Sequence, residues 1–210
     1  MSSRSGQWVL ASGGYFSSDY GASFAVIADL PHGAYSVALS SDASTVYVVD
    51  NSTEYTVRKG TGTPGEWSWS TLSVPAATAS RVISASADGQ YAFIASASGE
   101  LYYSVNSGVT WTLSASLLAK NYELFRLATS LNGKVTYVIA YYKATGGTFP
   151  LISQDYGATW NFTGFPAGLY VNGLATNEDG SVLTIGQSNG HGLIVSNDYG
   201  TTWSWSEIEY

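Results

Sequence analysis

An eight-residue pattern recurs along the chain and constrains its fold more than any other feature. Residues 153–160 are SQDYGATW, and residues 17–24, 104–111 and 196–203 are SSDYGASF, SVNSGVTW and SNDYGTTW. All four follow the pattern S-x-D-x-G-x-T-W with few changes. Self-similarity at a regular spacing is the signature of a repeat architecture. The chain is therefore expected to consist of similar structural units in series.

The spacing of the aromatic residue that closes each copy predicts the size of the unit. These aromatics are Phe24, Trp111, Trp160 and Trp203. The first interval is about twice the others, and a degenerate copy, KGTGTPGEW, ends within it at Trp67. The five aromatics are then separated by 43, 44, 49 and 43 residues. This period is typical of a β-propeller blade of four short strands.

A second recurring signal, a strand pair joined by a turn, lies between the copies. In the segment FRLATSLNGKVTYVIAYY, a strand of small residues leads through Asn132-Gly133 into a β-branched and aromatic strand. Asp42-Ala43, Asp88-Gly89 and Asp179-Gly180 hold the same place in other repeats. Such dipeptides favour a two-residue hairpin turn with positive φ at both central residues. We predict an all-β fold, a five-bladed β-propeller of four-stranded antiparallel blades, as one domain over residues 1–210.

The first repeat is shorter than the others. SGQWVLASGG aligns with DGQYAFIAS, so the chain is expected to enter at the turn between a first and a second strand, with Arg4 before the fold. The first repeat should then lack its innermost strand, unless a longer chain or a partner chain supplies it. A closed ring is favoured over an open arc, because an arc would expose sheet edges on both end blades.

The four good copies resemble the Asp-box, or BNR repeat, of sialidase-like propellers, and the resemblance covers essentially the whole chain. In that family the box is the turn between the third and fourth strands of a blade. The resemblance implies a structural role, in which Asp or Asn accepts N–H bonds, Gly adopts positive φ and the aromatic packs between sheets. The box residues are Asp19, Gly21, Asn106, Gly108, Trp111, Asp155, Gly157, Trp160, Asp198, Gly200 and Trp203.

Composition argues against several classes of partner. Eight basic residues and a net charge of −7 argue against nucleic acid, because phosphate binding needs clustered Lys and Arg. The chain has no long apolar run, so no membrane insertion is predicted. The absence of cysteine excludes disulfides and thiol chemistry. The box carboxylates, one per blade, lie too far apart for a calcium site, and no metal or cofactor is predicted.

The resemblance makes a sialidase-like hydrolase the obvious enzyme hypothesis. Sialidases resemble one another in three arginines that hold the substrate carboxylate, and the first lies in an F-R-I-P motif near the start. This chain has Arg4, Arg58, Arg81 and Arg126, and FRLA at 125–128 lacks the Pro and follows the third box. Arg81 and Arg126 lie near the mouths of innermost strands, whereas Arg58 falls in a third strand. We therefore predict no catalytic residues and no enzyme activity.

The loops that join blades, and those between second and third strands, should share the face on which propellers bind ligands. Aromatic rings, amides and a few charges suit a sugar, and the same inventory suits a protein interface. The ligand-binding candidates on these loops are Tyr35, Glu54, Arg81, Tyr122, Glu123, Arg126, Tyr142, Lys143, Tyr170, Asn172, Asn189 and His191.

The fourth repeat is the longest, and the segment YYKATGGTFP at 141–150 accounts for the excess. A long Gly-rich loop on a regular scaffold favours function, so it is the predicted specificity loop. The functional prediction is a non-catalytic binding module with lectin-like carbohydrate recognition. A protein-interaction or assembly scaffold is the alternative, and a sialidase-like glycoside hydrolase is third. An extracellular or surface setting is favoured, and the oligomeric state stays open.

Overall fold

The computed structural model describes residues 1–210 except 28, 31–32, 51, 53–54, 76–79, 117–121, 145, 167–168, 188–191 and 208–210, and it leaves out the side chains of residues 80, 81, 115, 116 and 207. The described residues form strands and turns in five sheets. The first sheet comprises β1 (Val9–Ala11), β2 (Tyr15–Ser17) and β3 (Ala25–Val26). The second comprises β4 (Ala34–Leu39), β5 (Thr45–Asp50), β6 (Val57–Thr63) and β7 (Glu66–Thr71).

The other three sheets repeat the four-stranded pattern. The third contains β8 (Ser80–Ala85), β9 (Ala92–Ser96), β10 (Glu100–Ser104) and β11 (Thr112–Ser116). The fourth contains β12 (Tyr122–Thr129), β13 (Thr136–Tyr142), β14 (Gly147–Ser153) and β15 (Asn161–Phe162). The fifth contains β16 (Val171–Thr176), β17 (Leu183–Gln187), β18 (Gly192–Ser196) and β19 (Ser204–Glu207).

Each sheet is one blade of a five-bladed propeller, as predicted. All strand pairs are antiparallel and follow chain order, and the first blade has three strands where the others have four. In the place of the missing innermost strand, Ser2 forms a bridge with Val9, and Met1 exchanges backbone hydrogen bonds with Leu10. Among the described residues no helix is long and apolar enough to span a bilayer.

Strand direction separates two faces of the propeller. Because neighbouring strands run antiparallel, the first–second turns and the boxes lie at one end of the strands, which we call the box face. The second–third hairpins and the connections between blades lie at the opposite end.

Four hydrophobic clusters hold neighbouring blades together. One cluster joins blades 1 and 2 around Leu10 and Val48, and a second joins blades 2 and 3 around Tyr47. A third joins blades 3 and 4 around Leu101, and a fourth joins blades 4 and 5 around Tyr137. The described residues form no such cluster between blades 5 and 1. At that junction Thr184 occupies the place of Tyr47 and Tyr137, so less apolar surface is available there.

The first–second turns link the blades around the axis. The amide of Arg4 donates to the carbonyl of Ser41, Ser41 donates to Ala87, Ala87 to Leu131 and Leu131 to Glu178, at 3.2, 2.7, 2.7 and 2.8 Å. The guanidinium of Arg4 then donates to the Glu178 carboxylate at 2.9 Å, which brings blade 5 to blade 1. The expectation that Arg4 precedes the fold is therefore wrong, because its backbone and side chain both belong to this circle.

These turns differ from the predicted two-residue hairpins. Strand pairing stops at Leu39↔Val46 in blade 2, which leaves six residues in the turn. Only the second residue of the dipeptide, such as Ala43 at 59° or Gly180 at 83°, has positive φ. The Asp instead accepts hydrogen bonds, and Asp42 takes them from the Ser40 hydroxyl and the Ser44 amide at 2.7 and 3.0 Å. An Asx side chain that caps its own turn explains the geometry.

The boxes behave as the turn chemistry predicts in four blades. In blade 4 the Ser153 hydroxyl accepts from the Gly157 amide at 2.8 Å and donates to Asp155 at 2.9 Å. Asp155 also accepts from the Thr159 amide and hydroxyl at 2.9 and 2.6 Å. Tyr156, the residue before the glycine, adopts a left-handed φ of 60°. Hydrogen bonds of the same kind occur around Asp19, Asn106 and Asp198.

Two copies depart from the pattern. Blade 2 has no box hydrogen bonds among its described residues, because β6 and β7 pair up to Thr63↔Glu66 and turn through Pro64 and Gly65. In blade 1 the closing aromatic, Phe24, is about half exposed instead of packed between sheets.

Candidate functional site

A β-bulge recurs in the innermost strand of four blades, close to the blade connections. In β4 the strand pairing passes from Ala34 to Ser36 and leaves Tyr35 without a partner. The pairing skips one residue at the equivalent place in β8, β12 and β16 as well. The skipped residues are Tyr35, Arg81, Phe125 and Asn172. A bulge re-aims a side chain and is common beside functional sites. We call this end of the propeller the bulge face.

The bulge face holds the described ligand-binding candidates. Tyr35, Arg81 and Asn172 are bulge residues, and Arg126 directly follows the bulge at Phe125. Tyr122 and Glu123 begin β12, Tyr142 ends β13, Lys143 lies in the following hairpin and Tyr170 precedes β16. Glu54, Asn189, His191 and the Arg81 side chain lie outside the described residues.

A cleft between blades 4 and 5 brings three of the candidates together. Its volume is about 240 Å³, and its lining consists of Glu123, Phe125, Tyr141, Thr148, Tyr170, Val171 and Asn172. A Cβ on Gly146 would lie 3.1 Å from the Tyr170 hydroxyl, so this glycine allows the hairpin to approach that ring. The Thr148 hydroxyl is bonded to the Leu169 carbonyl, which ties β14 to the segment carrying Tyr170. The cleft thus combines three aromatic rings with a carboxylate, an amide and a hydroxyl.

A second depression lies at the mouth of the central channel. It has a volume of about 240 Å³ and is lined by Tyr35, Ser36, Val82, Phe125 and Arg126. The guanidinium of Arg126 donates from Nε to the Asn172 carbonyl at 2.9 Å and from Nη1 to the Phe125 carbonyl at 2.8 Å. Arg126 is the one cation of this lining whose side chain is described, and these two bonds hold its guanidinium in place. Because Phe125 lines both depressions, they are adjacent.

The segment predicted to be a specificity loop forms a short hairpin, so the expectation of a long loop is wrong. Strands β13 and β14 pair as far as Tyr142↔Gly147, so the extra residues of the fourth repeat lengthen strands instead of forming a long loop. Tyr142 packs against Tyr122 at 5.1 Å between ring centroids, and Lys143 Nζ lies 4.0 Å from Glu123. Burial raises the pKa of Tyr122 above its ordinary value, and the electrostatic interaction with Tyr142 raises it further. The hairpin therefore lies beside the cleft and contacts β12 through these two pairs of residues.

Two further charged residues near this face, Asp50 and Arg58, are paired with each other. Asp50, at the end of β5, accepts from Arg58 Nε at 3.1 Å and from the Ser52 and Thr56 amides. Burial raises the pKa of Asp50, but the bonds from Ser52 and Arg58 outweigh burial and hold it below its ordinary value. Within the part of the chain that the structure describes, no three His, Asp or Glu residues cluster as metal ligands.

Sequence reasoning missed Phe125, Tyr141 and Thr148 in the cleft. In the sequence Phe125 stands out only as part of an F-R pair, because strand alternation alone does not reveal a bulge. Tyr141 and Thr148 are a cross-strand pair in β13 and β14, and their partnership depends on the register of the hairpin. The only sequence feature that points to them is the tyrosine pair at 141–142 together with the GGT segment at 146–148.

Comparisons with known proteins identify the fold but no family. No protein-family model and no curated protein sequence matches the chain. Among solved structures, a GH74 xyloglucanase from Xanthomonas campestris is 14% identical with a TM-score of 0.68, and the match covers 96% of this chain and 36% of that one. The chain thus spans about a third of the length of that enzyme.

Two further structures with similar folds are protein complexes. A chain of a nidogen/laminin complex is 13% identical with a TM-score of 0.70, and the match covers 96% of this chain and 78% of that one. Ycf48 bound to D1 peptide is 18% identical with a TM-score of 0.61, and the match covers 96% and 62%. At these identities the likeness concerns the β-propeller fold, which hosts many functions.

Proposed function

We propose that the chain is a non-catalytic binding module and that a carbohydrate occupies the cleft between blades 4 and 5. The observation that carries the proposal is the composition of this cleft. Phe125, Tyr141 and Tyr170 can cover the apolar face of a sugar ring, while the side-chain amide of Asn172 can bond to its hydroxyls. At about 240 Å³, the cleft is smaller than the roughly 300–1,000 Å³ that holds drug-sized ligands, which favours a single sugar unit.

The number of acidic residues in the lining of the cleft favours binding over hydrolysis. Among the described lining residues Glu123 is the one acid, and Lys143 lies 4.0 Å from its carboxylate. Glycoside hydrolysis generally uses two carboxyl groups that flank the scissile bond. A cleft with one paired carboxylate suits recognition better than bond cleavage.

A protein-docking module is the second candidate. Its support is that two of the propellers with similar folds are described in complex with laminin and with a D1 peptide. Tyr35, Phe125 and Arg126 at the channel mouth are residue types that anchor protein interfaces.

A glycan array with the intact chain, followed by calorimetric titration of any sugar that binds, tests the proposal. Tyr170→Ala should weaken binding about two- to tenfold, because it removes one stacking ring that is nearly half exposed and supports little of the core. Tyr20→Asn is the matched control, since Tyr20 is an exposed tyrosine of the box face and Asn tolerates its left-handed φ of 61°.

The outcomes separate the three functions. Sugar binding that Tyr170→Ala weakens and Tyr20→Asn leaves unchanged supports the carbohydrate proposal. A silent array refutes it and favours the protein-docking candidate. Release of sugar from an oligosaccharide or a fluorogenic sialoside by the wild-type chain would refute the non-catalytic assignment.

A further inference from the structure

Two cavities lie between blades 4 and 5 on the box face. One cavity, of about 420 Å³, is lined by Asn132, Lys134, Val135, Gln154, Asp179 and Tyr199. Its neighbour, of about 400 Å³, shares Gln154 and Tyr199 and extends along Phe162, Thr163 and the box of blade 5. Tyr199 and Gln154 therefore stand between two cavities, each larger than the depressions on the bulge face.

The equivalent junction between blades 3 and 4 shows how such a space is filled. Tyr156 in the box of blade 4 corresponds to Tyr199 in the box of blade 5, and both have a left-handed φ, of 60° and 59°. Tyr156 stacks on Tyr91 of the preceding blade, with ring centroids 4.6 Å apart and planes at 27°. An aromatic ring of the neighbouring blade thus closes this junction.

The ring is missing at the junction of blades 4 and 5. Val135 stands where blade 3 has Tyr91, and both side chains lie against the turn glycine of the following blade, Gly180 and Gly133. In the described residues no aromatic ring packs against Tyr199, and its exposed fraction is 38%. The junction therefore keeps the platform of the stack but lacks its second ring.

The lining of this junction is also more polar than its counterpart. Gln154 occupies the box position that Val105 holds in blade 3, and Lys134 replaces Gln90. Within the described residues, the side chains of Gln154 and Lys134 make no hydrogen bond to protein. Amide and ammonium groups that are free beside an aromatic platform favour a ring with hydroxyl groups over a purely apolar ring.

We propose that a sugar ring binds on Tyr199 in the place that Tyr91 takes on Tyr156, with Gln154 and Lys134 hydrogen-bonded to its hydroxyls. Asp179, which already accepts from the Ser181 amide and hydroxyl, adds an acceptor at the rim. This site lies on the face opposite the cleft of Tyr170 and does not depend on it. The chain then has two separate sugar sites between the same two blades.

Amide chemical shifts of the ¹⁵N-labelled chain test the proposal, with simple methyl glycosides as probes. Methyl glycosides of glucose, galactose, mannose, xylose and N-acetylglucosamine are titrated singly, and p-cresol is titrated as an aromatic probe. At least one glycoside should shift the amides of Lys134, Gln154 and Tyr199. Shifts at Tyr141 and Tyr170 report the other face in the same spectra.

Three variants and a control make the test specific. Val135→Tyr should abolish the shifts by rebuilding the Tyr91–Tyr156 stack, which already fits against a turn glycine in this protein. Gln154→Val introduces the residue of blade 3 and should weaken binding severalfold without touching the core. Tyr199→Asn should weaken binding about two- to tenfold by removing the platform. Tyr20→Asn should change nothing, because it alters the same box position in blade 1.

Each outcome decides between the alternatives. Glycoside-induced shifts at the box face that Val135→Tyr, Gln154→Val and Tyr199→Asn reduce support the site. Shifts confined to Tyr141 and Tyr170 would uphold the cleft and refute this second site. Saturable shifts with p-cresol but with no glycoside would refute the assignment to a sugar, as would glycoside binding that all three variants leave intact.

Discussion

Two box glycines with the same backbone but different surroundings offer a direct test of why the box requires glycine. Gly157 has a φ of 90° and Gly21 a φ of 86°, and both amides donate to the serine hydroxyl that opens the box. A Cβ on Gly157 would lie 2.8 Å from Phe93 Cε1 and 3.0 Å from Tyr103 Cβ. On Gly21 the nearest atom, at 3.9 Å, belongs to Phe24.

The expected losses in the free energy of unfolding follow from two contributions, backbone strain and overpacking. Placing an L-residue in the left-handed region costs about 1–2 kcal/mol, which applies to both positions. Overpacking a filled junction adds about 1–3 kcal/mol, which applies only to Gly157. The loss of unfolded-chain entropy on Gly→Ala substitution is common to both and cancels in the comparison. Gly157→Ala should therefore lower the free energy of unfolding by about 1–3 kcal/mol more than Gly21→Ala does.

Urea denaturation followed by tryptophan fluorescence measures the difference, and circular dichroism checks that unfolding stays a single transition. Equal destabilisation by the two substitutions would show that the close approach to Phe93 and Tyr103 carries no cost. No destabilisation by Gly21→Ala would refute the argument from backbone strain.

Three further predictions concern charge and blade contacts. Hydrogen bonds from Thr202 and Ser196 lower the pKa of Asp198 from 3.8 to about 2. The stabilisation by this carboxylate is therefore complete above pH 4 and is lost as the pH falls towards 2. Asp198→Asn should flatten the dependence of the free energy of unfolding on pH across that window, which acid titrations of both proteins will show. Tyr137→Phe removes a 2.7 Å hydrogen bond from the buried hydroxyl to the Gly180 carbonyl and should lower the free energy of unfolding by about 0.5–1.5 kcal/mol in urea, whereas no loss would mean that this bond adds nothing across the blades. Arg4→Ala should cost less than about 1 kcal/mol, since the ion pair with Glu178 is exposed, and salt at about 1 M should erase the difference; a larger, salt-independent loss would mean that Arg4 closes the ring by other contacts.

The described residues form no hydrophobic cluster between blades 5 and 1, which bears on these predictions. Four junctions are held by apolar contacts, whereas the fifth has Thr184 at the place of a tyrosine and an exposed ion pair at the axis. Hydrophobic burial is the larger stabilising term, so among the described residues we expect the contacts between blades 5 and 1 to stabilise the fold least. Hydrogen exchange should accordingly be faster at β1 and β18 than at the central strands of blades 2–4.

The sequence by itself determined the unit of this fold. The residues of the box specify a turn through local chemistry, since its serine, aspartate and glycine lie within five residues and hydrogen-bond to one another. The regular spacing of such turns predicts five blades, and the short first repeat predicts a first blade without its innermost strand; the structure confirms both. Even the degenerate copy at Trp67 was placed correctly, although a Pro64-Gly65 hairpin replaces its box.

The tertiary structure decided what each face presents. The bulges that expose Tyr35, Phe125 and Asn172 depend on the pairing of neighbouring strands, which no local pattern encodes. The space beside Tyr199 depends on Val135, which is 64 positions away in the sequence. The importance of Val135 becomes clear only by comparison with the junction of blades 3 and 4, where a tyrosine ring fills the same place. Turns form through contacts within a few residues and can therefore be recognised in the sequence. Clefts are lined by side chains of different blades and form only when the blades assemble into a ring.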